Sequence, residues 1–144
     1  MSEYIDNLVG MKEVLPKHEV EEAMTFMKEN EEKIKDFLEN NDKDMTGDII
    51  ADKCFTAFHY GVCIGAHKSL EKSRMNCPVF TGKAVEDCRV YQILTQDSSI
   101  KTFSQIMSNV TGAVRTDDVS VLRLASIVFE LSLLLGWSIS GELQ

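Results

Sequence analysis

His59, Cys63, His67 and Glu71 follow one another at four-residue intervals, so on a helix their imidazole, thiol and carboxylate groups descend one side. That donor set has the chemistry to bind Zn²⁺ or iron, since neutral imidazole, thiolate and carboxylate are all transition-metal ligands. His18 and Glu22 repeat the His-x-x-x-Glu spacing elsewhere. On a helical wheel, however, His67 and Glu71 share a polar sector with Lys53, Thr56 and Tyr60, while His59 and Cys63 lie nearer Phe55, Ala66 and Leu70. The row drifts from inside to outside, whereas a bundle metal site needs ligands converging from several helices. There is no Glu-x-x-His sequence of the di-iron type, and three histidines are few for a His-rich centre. No metal or other cofactor is therefore expected. His59 is expected to be hydrogen-bonded near the core, and His67 to pair with Glu71 at the surface.

The other candidates for chemistry are thinner. Glu19, Glu22, Glu86 and Asp87 are the only carboxylates available for a Mg²⁺ cluster of the kind all-α nucleotide pyrophosphohydrolases place on facing helices. Thr81-Gly82-Lys83 lacks the Gly-x-x-x-x-Gly-Lys pattern of a phosphate loop and reads as a simple helix start. Cys54, Cys63, Cys77 and Cys88 match neither a paired CxxC zinc pattern nor a small disulfide scaffold, so reduced, buried thiols are expected. No catalytic signature is present.

A second stripe on the helix that carries His59 has different implications. Ala57, Gly61 and Gly65 line up on the opposite side, and small residues at this spacing let two helix backbones approach closely. Two glycines in a helix interior cost about 1 kcal/mol each relative to alanine, so a packing reason is expected, either a crossing inside the bundle or a subunit interface.

These stripes need helices to hold them, and the apolar spacing supplies helices only. Ile5, Leu8, Val9 and Leu15 predict a short first helix ending near Pro16. Lys17 to Asn40 carries a narrow apolar seam, Val20, Met24, Met27, Ile34 and Leu38, beneath a broad acidic face. After a polar turn, the helix bearing both stripes is predicted from about Asp48 to Arg74. Further helices are expected from Ala84 to near Gln96, and from the Asp97-Ser98-Ser99 cap to Gly112. The last, capped by Thr116 and running over Asp118 to Ser140, is apolar nearly all round apart from Arg123, Ser126 and Glu130. A membrane span would hold two of these charges near its centre at about 2.5 to 3.5 kcal/mol each, so a buried helix is expected instead.

The 144 residues, 44% hydrophobic and 26% charged, suit one helical domain, 1-144: an all-α, compact bundle of five to six helices around a central apolar C-terminal helix. Covering that helix uses up most of so short a chain, which makes a homodimer the expected state. The formal net charge is −8, and Lys17 to Asp48 holds eleven Asp or Glu against five Lys. Such a field repels phosphate backbones and anionic lipid, so direct nucleic-acid binding is disfavoured, and neither nucleic acid nor a membrane is expected as a partner. With no signal-like apolar run near Met1, the protein is expected in the cytoplasm. The leading functional expectation is a non-enzymatic regulator or adaptor that presents Glu21, Glu29, Glu32, Asp36 and Glu39 to a basic protein surface. The alternative is a helical-bundle metal-binding or Mg-dependent nucleotide-handling enzyme.

Overall fold

The computed structural model describes residues 16–40, 48–94, 96 and 120–143. Among them the regular structure is helical throughout: α1 (Lys17–Glu29), α2 (Glu31–Asn40), α3 (Ile49–His67), α4 (Leu70–Asn76), α5 (Pro78–Thr81), α6 (Arg89–Leu94) and α7 (Val121–Ile139), with 3-10 turns at Val85–Asp87 and Ser140–Leu143. The all-α bundle is as the apolar spacing predicts. The first and fifth predicted helices, and the Thr116 cap, lie outside the described residues.

The long helices α3 and α7 form the centre. Both are 19 residues long and mostly buried, and they pack against each other along their length. Glycine makes this possible. A Cβ on Gly65 would stand 2.0 Å from the Leu133 carbonyl oxygen and 2.8 Å from the Trp137 nitrogen, while one on Gly136 would stand 2.1 Å from the Val62 carbonyl. At Gly61 the corresponding contacts are 2.8 Å to the Phe129 carbonyl oxygen and 2.9 Å to the Ser132 Cβ. Contacts below 3 Å to backbone leave no room for a methyl group, so the two helices touch main chain to main chain. Ala57, also fully buried, continues the row. The approach is made within one chain, and the helix-propensity cost of the glycines is offset by the packing they allow.

Around this seam, Phe58, Val62, Ile64, Leu124, Val128, Phe129, Leu133 and Leu134 fill the core. Helices α1 and α2 lie across α7, and bury Ala23, Ile34, Phe37 and Leu38. The predicted second helix is divided at Asn30, whose backbone leaves helical angles (φ −113°, ψ 16°) and whose side chain bonds the Phe26 carbonyl at 2.9 Å.

Three boundaries differ from the sequence expectation. The third helix stops at His67, because Lys68 takes the left-handed conformation (φ 53°) and Ser69 caps a new helix through its hydroxyl to the Lys72 N–H at 3.2 Å. Thr81-Gly82-Lys83 is a helix end, not a start: Gly82 (φ 73°) is the left-handed cap of α5. The fourth predicted helix, Ala84 to Gln96, is a 3-10 turn followed by the short α6.

Candidate functional site

The break at Lys68 dismantles the His59/Cys63/His67/Glu71 row. His59 and Cys63 are sealed in the core, His67 is the last residue of α3, and Glu71 is exposed on a different helix, α4. His67 is half-buried, and its Nε2 is enclosed without a hydrogen-bond partner, so the expected surface pair with Glu71 is not formed through that atom. Among the described residues no group of three or more His, Cys, Asp or Glu side chains is disposed to hold a metal ion. Glu86 and Asp87 occupy an exposed 3-10 turn, and Glu19 and Glu22 lie on α1; the structure does not assemble them into a cluster.

His59 is 3% exposed, and its Nδ1 is hydrogen-bonded to the Tyr91 hydroxyl of α6. Phe55 and Phe58 meet the imidazole edge-on, at centroid distances of 4.2 and 5.5 Å. Burial pushes the imidazole pKa down to about 4 and raises that of the Tyr91 phenol. At neutral pH the phenol keeps its proton and donates it to a neutral ring, which leaves the other ring nitrogen, Nε2, buried without a partner. A base sealed to this degree has no substrate to reach. Its role is to tie α6 to α3.

Beside this pair the cysteines converge, which their irregular spacing does not reveal. The thiol of Cys63 on α3 feels those of both Cys77, at the junction of α4 and α5, and Cys88, immediately before α6. All three are free and buried. The Cys63 thiol is raised by its bonds to the two neighbouring sulfurs and by burial, whereas Cys88 is lowered to about 6, chiefly because Cys63 donates to it. The backbone N–H groups of Tyr91 and Val90 add to that stabilisation. Cys54 is the contrast: solitary and 1% exposed, it is raised to about 11 by burial.

The outer surface has a different character. Glu21, Glu29, Glu32, Asp36 and Glu39 are all exposed. On α2 the three- and four-residue steps Glu32, Asp36, Glu39 form a crest opposite the buried Ile34, Phe37 and Leu38. A groove runs along each flank of this crest. One, of about 270 Å³, is apolar at its base and lined by Met27, Ile34, Leu38, Leu122 and Phe129, with Glu31 and Lys35 at its edge. The other, of about 490 Å³, is more polar and lies between α2 and α4, with Lys33, Asp36, Tyr60, Glu71 and Arg74 in its walls.

No protein family, curated protein or solved structure matches the chain.

Helix α7, with the following turn, is long and apolar enough to cross a membrane, and 67% of its most apolar window is enclosed by the rest of the protein. Arg123 and Ser126 are exposed, so the polar strip of this helix faces outward.

Proposed function

We propose that this protein is a non-enzymatic regulator or adaptor, working in the cytoplasm, that docks a basic protein surface on the outer face of α1 and α2. The supporting observation is five exposed carboxylates, Glu21 and Glu29 on α1 and the crest Glu32, Asp36 and Glu39 on α2, on helices whose opposite side is anchored in the core. Charges arranged this way accelerate encounter with a positive partner and set its orientation, while an apolar side chain of the partner enters the groove between α2 and α7. Neither nucleic acid nor membrane is part of this proposal.

The direct test is a five-fold charge reversal, Glu21, Glu29, Glu32, Asp36 and Glu39 each to Lys, compared with wild type for binding to an immobilised lysine- and arginine-rich peptide at increasing salt. Wild type should bind at low salt and release steeply as salt rises, and the reversed protein should not bind. Equal binding by both would remove the proposal.

Self-association is a separate part of it. The chain itself encloses most of α7, so its support narrows to the half-buried Leu122 and Ile127 near the start of that helix. Light scattering should give twice the monomer mass of 16.2 kDa. The competing enzyme reading has one observation in its favour, the polar groove walled by Tyr60, Glu71 and Arg74. Elemental analysis separates the two, since a stoichiometric transition metal in the purified protein would favour the enzyme.

A further inference from the structure

The groove between α2 and α4, at about 490 Å³, falls within the range of roughly 300 to 1,000 Å³ that small-molecule sites occupy. Its walls carry two cations and two anions: Lys33 and Asp36, three residues apart on α2, and Glu71 and Arg74, three residues apart on α4. We propose that this groove binds a free α-amino acid with a large apolar side chain. Arg74 takes the carboxylate, Asp36 and Glu71 take the ammonium, and the side chain rests on Phe37 and Tyr60.

Three observations carry this. The floor of the groove is apolar and firmly packed: the Phe37 and Tyr60 rings lie 3.8 Å apart between centroids, and Phe80 packs on them at 5.5 and 5.1 Å. Leu70 adds a further apolar wall from α4. Second, Arg74 is positioned in advance, with its guanidinium over the Phe80 ring at 6.0 Å from the centroid, on a helix whose first turn is capped by Ser69. A guanidinium held against a ring keeps its edge N–H groups available for paired hydrogen bonds to a carboxylate. Third, among the described residues none of the four charges is neutralised by an ion pair, although all line one groove.

The balance of charge selects the ligand. A phosphorylated molecule or a dicarboxylate would be repelled by Asp36 and Glu71, and a polyamine by Lys33 and Arg74. A zwitterion satisfies both signs at once. An α-amino acid carries its two charges on one carbon, with the apolar group attached to the same carbon, so all three parts reach their places in a single short molecule. Glycine has no group to cover the aromatic floor and forgoes that burial. The assignment does not rest on partner docking at the acidic crest, with which the groove shares only Asp36.

The test is titration of L-phenylalanine into the purified 144-residue protein, followed through the backbone amide resonances. Saturable shifts are expected for amides of α2 and α4 along the groove. Phenethylamine, which lacks the carboxylate, 3-phenylpropanoate, which lacks the ammonium, and glycine should each bind roughly tenfold or more weakly. Arg74→Gln and Glu71→Gln, both at exposed positions on α4 and outside the crest, should each weaken phenylalanine binding by about tenfold while the amide spectrum stays that of the folded protein. The analogue series on wild type is decisive even if a variant folds poorly. No saturable shift with phenylalanine, shifts confined to other helices, equal affinity for any of the three truncated analogues, or folded variants that bind as wild type would overturn the assignment.

Discussion

The seam between α3 and α7 and the layer formed by α1 and α2 are both helical pairs, built on opposite principles. The seam is main chain against main chain, uncharged, and closed to water at Gly61, Gly65 and Gly136. The layer touches the core through a narrow row, Ala23, Ile34, Phe37 and Leu38, and gives the remainder of its surface to charge. The contrast teaches that in this small protein rigidity and recognition are carried by different helices. Changes to the seam should alter stability without touching the acidic crest, and changes to the crest should do the reverse.

The sharpest way to break that division is to add single methyl groups at the seam. In an open helix Gly→Ala stabilises by about 1 kcal/mol. Here Gly65→Ala or Gly136→Ala should instead cost on the order of 3 kcal/mol in urea unfolding, because the new carbon meets a backbone oxygen that cannot rotate away. Gly61→Ala, with slightly more space, should cost less.

A comparable effect should come from acid. The His59 pKa is about 4 in the folded protein against about 6.5 unfolded, so the unfolded chain takes up the proton first. Stability from this site is intact above pH 6.5, and falls by about 3 kcal/mol in all as pH drops to 4. His67 shifts in the same direction, so the informative measurement is the difference in pH slope between wild type and His59→Asn, which should be flatter. Tyr91→Phe keeps the ring in place and removes the donor to His59 Nδ1. A loss of roughly 1 to 3 kcal/mol in thermal or urea unfolding is expected for that unpaired nitrogen.

The smallest stability effects should fall on the crest. Glu32→Lys or Asp36→Lys alone should shift unfolding by no more than about 0.5 kcal/mol, since both side chains are exposed on helix surface. If single reversals there unfold the protein, the crest is structural and the division fails.

What the sequence discloses follows the same contrast. The acidic crest is legible because Glu32, Asp36 and Glu39 are spaced with the helix period, and the row Ala57, Gly61, Gly65 is legible because its step is constant. Its counterpart is hidden: Gly136 lies in a run of leucines with no polar side to give it a phase. The stop at Lys68 is equally hard to see, since lysine carries no signal for left-handed angles, and only the Ser69 cap marks it. The thiol cluster has no linear signature at all. Cys63, Cys77 and Cys88 are set together by the way α4 and α5 fold back along α3, and only tertiary contact reveals it. His59 could be placed near the core from its sector, but its partner Tyr91, 32 residues away, could not be inferred from spacing.

Native-state hydrogen exchange tests the division of labour most directly, because it reads the opening energy of each helix separately. The slowest amides should belong to α3 and α7, exchanging only through global unfolding, while those of α1 and α2 open at distinctly lower free energy. Protection of α1 and α2 equal to that of α3 and α7, or a least-protected seam, would contradict the account.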